Sequence, residues 1–198
     1  MWFPSVPAKK ALDLYAGDID GLTFRVTLDH ELQPLLADIM HNCGCYYMAF
    51  PSLQLTPRPA LTPYEEPLWV PYPLNGPKGR ERYIIHLSAG NHFVESVSTT
   101  DSPQRAPQTL AVLPYDSLRS LPHSPGFARS AFSSRGLIEN SHRLERYILW
   151  PMGIASAGAM RQSGHHGIAF VGRRHFDDPD LISRYFERAN VETLPIEN

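Results

Sequence analysis

The stretch 41-HNCGC-45 crowds an imidazole and two thiols into five residues. Such soft ligands suit zinc or copper. Structural zinc sites usually take four ligands in two separated pairs, and beyond Cys43 and Cys45 there is no second cysteine pair and no HExxH, so the spacing argues against a metal site. Cys43 and Cys45 stand one residue apart. Pairs this close rarely meet disulfide geometry, so free thiols in a reducing compartment are expected. A thiol beside an imidazole can act as a nucleophile, and His165 or His166, ahead of the apolar run 167-GIAFVG-172, could serve as its base. The same residues also read as a buried structural thiol and a surface histidine pair. No glycine pattern follows a strand and opens a helix, so neither a dinucleotide-binding nor a P-loop fingerprint is present.

A second stretch, 83-YIIHLSAGNHFVESVSTTDSP-103, places a histidine, a glycine and a Ser-Thr-Thr run on what read as two short strands. The surrounding composition is that of a globular chain: 198 residues, 42% hydrophobic and 19% charged. A net charge of −2 argues against a dedicated nucleic-acid or anionic-membrane surface. No apolar run reaches the roughly 18 residues that would span a bilayer, and no secretory signal is visible at the start.

The elements that must position these groups are short. Residues 22-LTFRVTL-28 alternate as a half-buried strand. The segment 31-ELQPLLADIMHN-42 predicts a helix beginning near Gln33 and capped by Gly44. Residues 83–87 and 92–98 predict strands joined by Ser88-Ala89-Gly90-Asn91. Residues 144–150 suit a strand or a helix, ended by Trp150-Pro151. Residues 167–172 read as a strand. The segment 178–190 predicts a helix with Asp178 as N-cap and Pro179 first, burying Leu181, Ile182, Tyr185 and Phe186. Eight prolines between Pro51 and Gly79 predict a long loop or linker without regular structure. A Pro/Ser-rich loop is expected over about 101–134. The expected fold is a single α+β domain over 1–198 with few helices and long proline-rich loops.

Three islands taken in order, 22-LTFRVTLD-29, 83–103 and 142-HRLERYILWPMGIASAGA-159, resemble the mono-ADP-ribosyltransferases of the cholera and pertussis toxin type. Phe24, Arg25 and Asp29 are similar to that family's early aromatic-Arg strand. His86 and Gly90 precede a strand that ends in Val97-Ser98-Thr99-Thr100. Glu145 precedes the Gly153-Ile154 turn. The resemblance implies a core of two small packed sheets and NAD as substrate. It implies Glu145 as the carboxylate that stabilises an oxocarbenium-like transition state. It implies that Arg25 grips phosphate or ribose, that His86 holds the adenosine ribose side, and that Ser98, Thr99 and Thr100 line the nicotinamide. A protein target, or a nucleic-acid acceptor, is implied, with the chain a toxin or effector that has a delivery or immunity partner. Arg143 stands where the family has Glu or Gln. A second register puts Tyr147 in the catalytic place, which makes the chain an inactive binding module. The cysteine hydrolase above is a further alternative. Residues 146-RYILWPMGIASAGA-159 also resemble a helix in the regulatory domain of fungal zinc-cluster transcription factors, a mostly helical fold.

Overall fold

The computed structural model describes residues 1–59, 67–102, 111–154, 156–165 and 176–189. Four strands, β1 (Trp2–Val6), β2 (Gly17–Leu28), β3 (Pro34–His41) and β4 (Met48–Pro51), form one antiparallel sheet in sequence order. The alternation at 22–28 does mark a strand, and β2 extends it to twelve residues. The helix expected over 33–42 is instead β3, the strand between β2 and β4. Its residues from Leu35 to His41 are all buried. A strand covered on both faces carries a continuous apolar run, and such a run has no period that separates it from a helix. Pro34 costs little at the first position of the strand.

Both faces of this sheet are covered, by different elements. On one face Leu22, Ile39 and Phe50 meet Val97, Tyr83 and Ile85 of a hairpin formed by β6 (Arg82–Leu87) and β7 (Val94–Thr100). On the other, Leu36, Met40 and Tyr47 meet Leu55, Leu181 and Phe186. These last three belong to β5 (Leu55–Pro57), to the short helix α2 (Leu181–Tyr185), and to β10 (Phe186–Arg188), which pairs with β5. The architecture is thus small antiparallel sheets with few helices, in the α+β class.

The proline-rich stretch after Pro51 is not wholly irregular, because β5 lies within it. Its described part is pinned to the hairpin: the Tyr72 hydroxyl donates to the Val97 carbonyl and accepts from the Val97 N–H, both at 2.8 Å. The stretch 101–134 likewise holds a 3-10 turn at Tyr115–Arg119 and the exposed hairpin of β8 (Leu121–Ser124) and β9 (Phe127–Arg129). Residues 144–150 yield the short helix α1 (Arg146–Leu149). As expected, α1 stops at Trp150-Pro151, and the chain goes on as a 3-10 turn, Trp150–Met152. The expected helix at 178–190 is cut to α2 because Phe186 enters a strand. Asp178 accepts from the Asp180 N–H and salt-bridges Arg184, so it stands one turn outside the helix. The strand expected at 167–172 and the histidine at 166 lie outside the described residues.

Candidate functional site

Beyond His41 the chain reverses over five residues. The Gly44 N–H donates to the His41 carbonyl at 2.8 Å, and the His41 N–H donates to the Cys45 carbonyl at 3.0 Å. Gly44 takes φ 91°, the left-handed region open to glycine. This turn brings the Cys43 and Cys45 Cα atoms to 5.7 Å, and the two sulfurs form a disulfide. The expectation of free thiols is therefore corrected, because sequence proximity excludes a bridge only where the backbone stays extended. Both candidate metal sulfurs and both candidate nucleophiles are consumed in the bond. Closing so small a ring restricts the unfolded chain by only about 1.6 kcal/mol in the chain-entropy account, roughly half of what a 15-residue loop supplies.

The disulfide lines a cleft of about 160 Å³ at the end of the main sheet. His41 and Tyr46 supply one wall, Phe93 from the β6–β7 turn another, and Glu145 with Gly158 a third. The three rings contact one another: His41 lies 5.4 Å from Tyr46 and 5.7 Å from Phe93, and Tyr46 lies 4.8 Å from Phe93. Glu145 can stand here because Gly158 has no side chain; a Cβ at that position would collide with Oε1 of Glu145.

The electrostatics of the cleft depart from those of a solvated surface. Burial pushes the Glu145 carboxyl upward in pKa, with Arg143 opposing. Burial pushes His41 downward; Asp20 opposes this shift and His92 adds to it. Burial, helped by Tyr15, raises the Tyr46 phenol to about 12. His41 is only 4% exposed, and its Nε2 is buried without a hydrogen-bond partner. An orphan buried nitrogen of this kind costs roughly 1–3 kcal/mol. Arg143 also lines the cleft but is spent on structure: Nη1 donates to the Asp18 and Ser141 carbonyls and Nη2 to that of Ile19.

Backbone strain gathers at the same place. Among the described residues, five other than glycine have positive φ. Tyr46 lines the cleft, Ile19 precedes the cleft residue Asp20, and His92 bonds Asp20 at 2.8 Å. A β-branched residue such as Ile19 adopts this region only when its surroundings force it, and such residues concentrate at binding and catalytic sites.

Of the residues that the resemblance implies, all but Glu145 lie outside this cleft. Arg25 lies on the opposite face of the main sheet. Its Nε donates to Asp38 at 3.0 Å, Nη2 also donates to Asp38, and Nη1 donates to the Phe176 carbonyl at 2.7 Å. Its guanidinium stacks 4.2 Å from the Phe176 ring centroid. It borders a wider cavity of about 620 Å³, where Arg58 and Arg188 are balanced by Asp178, Asp180 and Glu187. Such a wall offers no excess of positive charge to a phosphate. His86 is exposed on β6, opposite Ser96. Ser98 pairs with Ile84, and Thr99 and Thr100 continue β7 toward its end, while it is Val97 that enters the core. Tyr147, the alternative catalytic position, is 64% exposed and outside the cleft lining. Of the six residues expected to act on NAD, Glu145 alone lines the cleft with the orphan histidine. Sequence reasoning noticed His41 only as a metal ligand, and missed Tyr46, Phe93 and Asp20. The one available signal was the aromatic density flanking Gly44 and Asn91.

No described helix is long and apolar enough to cross a membrane. Comparison with protein-family models, with curated proteins and with solved structures finds no match to this chain.

Proposed function

We propose that this chain is a binding module whose cleft captures a small planar group, of the size and polarity of a nicotinamide ring, against the ring cluster of His41, Tyr46 and Phe93 and beside Glu145. The observation that carries the reading is the buried, unpartnered Nε2 of His41 in a wall of aromatic rings. A neutral imidazole can accept or donate through its ring nitrogens, and the Glu145 carboxylate accepts, so the pair suits the amide of such a ring. At about 160 Å³ the cleft is well below the roughly 300–1,000 Å³ that encloses drug-sized ligands, so it admits one ring and not a whole dinucleotide.

A second reading keeps the reaction that the sequence resemblance implies. If the rest of NAD lay outside along the surface, the half-buried Glu145 could stabilise an oxocarbenium-like centre at the cleft mouth, with a protein or nucleic-acid acceptor. Its support is the position of Glu145; the placement of Arg25 opposes it.

Titration with nicotinamide and with NAD separates the two readings. Capture predicts saturable binding of nicotinamide that weakens at least tenfold in His41→Phe, and no nicotinamide release from NAD. Transferase chemistry predicts release that falls on the order of 10²–10³ in Glu145→Gln. Absence of saturable nicotinamide binding by the folded protein overturns the capture reading.

A further inference from the structure

We propose that the Cys43–Cys45 disulfide is a thiol–disulfide exchange centre that oxidises cysteine pairs presented at the cleft. This goes beyond ligand capture and does not require it.

Three observations point there. The bond lies in the wall of a cleft, and its ring is too small to be an effective staple for the unfolded chain. The two sulfurs differ in access: Cys43 is 7% exposed and packs on Phe132, Ile138 and Met160, while Cys45 is only partly buried. The turn that joins them is fixed by its own backbone hydrogen bonds to His41, so reduction leaves the two thiols side by side and able to close again.

Exchange needs an attackable sulfur, a leaving sulfur and a route for protons. A substrate thiol loses its proton and attacks Sγ of Cys45. A mixed disulfide forms, the Cys43–Cys45 bond breaks, and its electron pair leaves on Sγ of Cys43, which is then protonated. The second substrate thiol, once deprotonated, attacks the substrate sulfur of the mixed disulfide and releases Cys45, which takes the second proton. Two S–H bonds of the substrate become one S–S bond, and one S–S bond of the protein becomes two S–H bonds. Glu145 and His41, in the same cleft, are the groups able to carry the protons. A low-molecular-weight disulfide restores the bridge by the same exchange in reverse.

The test uses the full, oxidised chain and a synthetic peptide with two cysteines, with thiols counted by alkylation and mass. The native protein should gain two alkylated cysteines as the peptide loses two, at a rate no more than tenfold below that of the urea-unfolded protein. A native rate more than tenfold below the unfolded rate overturns the proposal and leaves a structural crosslink. In a second measurement, Cys43→Ser should be captured by an activated disulfide probe at Cys45 at least tenfold faster than Cys45→Ser at Cys43. Equal capture overturns the assignment of the attacked sulfur. If either variant fails to fold, the wild-type comparison still decides. Nicotinamide titration is a separate readout, so failure of exchange and failure of capture are told apart.

Discussion

The two faces of the main sheet bury polar groups in opposite ways. On one face Asp38 is fully buried, yet it accepts from Arg25 and from the Tyr47 hydroxyl at 2.9 Å. Burial works against the charge of Arg25, but the hydrogen bond and charge of Asp38 outweigh it and raise its pKa. On the other face, at the sheet's end, His41 is equally buried and its Nε2 has no partner. A closed network specifies packing, whereas a buried nitrogen without a partner calls for an explanation, which the proposed ligand supplies. Arg25 is thus held within a closed network, while His41 beside its turn keeps a nitrogen without a partner.

Breaking the closed network should have the largest effect. Asp38→Ala removes the acceptor shared by Arg25 and Tyr47 and should cost about 3 kcal/mol by denaturant melts. That is the low end for a buried pair, because Arg25 keeps a solvent-facing edge at 35% exposure. His41→Phe should do the reverse. With the orphan nitrogen removed and the ring retained, stability should rise by about 1 kcal/mol while nicotinamide capture is lost.

The two titrating cleft groups predict opposite pH slopes. Glu145 is raised above its ordinary 4.5, so its contribution is full below that pH and is lost as pH rises through its folded value. His41 is depressed below 6.5, so its contribution is full above that pH and is lost as pH falls toward its folded value. Denaturant midpoints between about pH 4 and 7 should lose the first slope in Glu145→Gln and the second in His41→Phe. The smallest effect is expected at His86 and Ser98, whose replacement by alanine should stay within about 0.5 kcal/mol and leave capture unchanged.

How far the sequence speaks depends on what covers each segment. β2 was legible because Leu22, Phe24 and Val26 alternate with Thr23 and Arg25. β3 was not, because Leu36, Asp38 and Met40 face one core while Ala37 and Ile39 face another, which erases the alternation. The Cys43–Cys45 bridge was hidden by the left-handed turn at Gly44, a property of backbone dihedrals that residue spacing does not report. Glu145 was picked out by a local pattern. Its neighbours Asp20, Tyr46 and Phe93 come from distant segments that meet only once the sheet and hairpin have packed.

The proposed function lies in the cleft of His41 and Glu145 and not around Arg25 and Ser98. Amide chemical-shift mapping of the labelled chain during nicotinamide titration tests it most directly. The account predicts saturable perturbations at His41, Cys45, Tyr46, Phe93, Glu145 and Gly158, with Arg25 and Ser98 unmoved. Perturbations centred on Arg25 and Ser98, or none in the cleft, would contradict it.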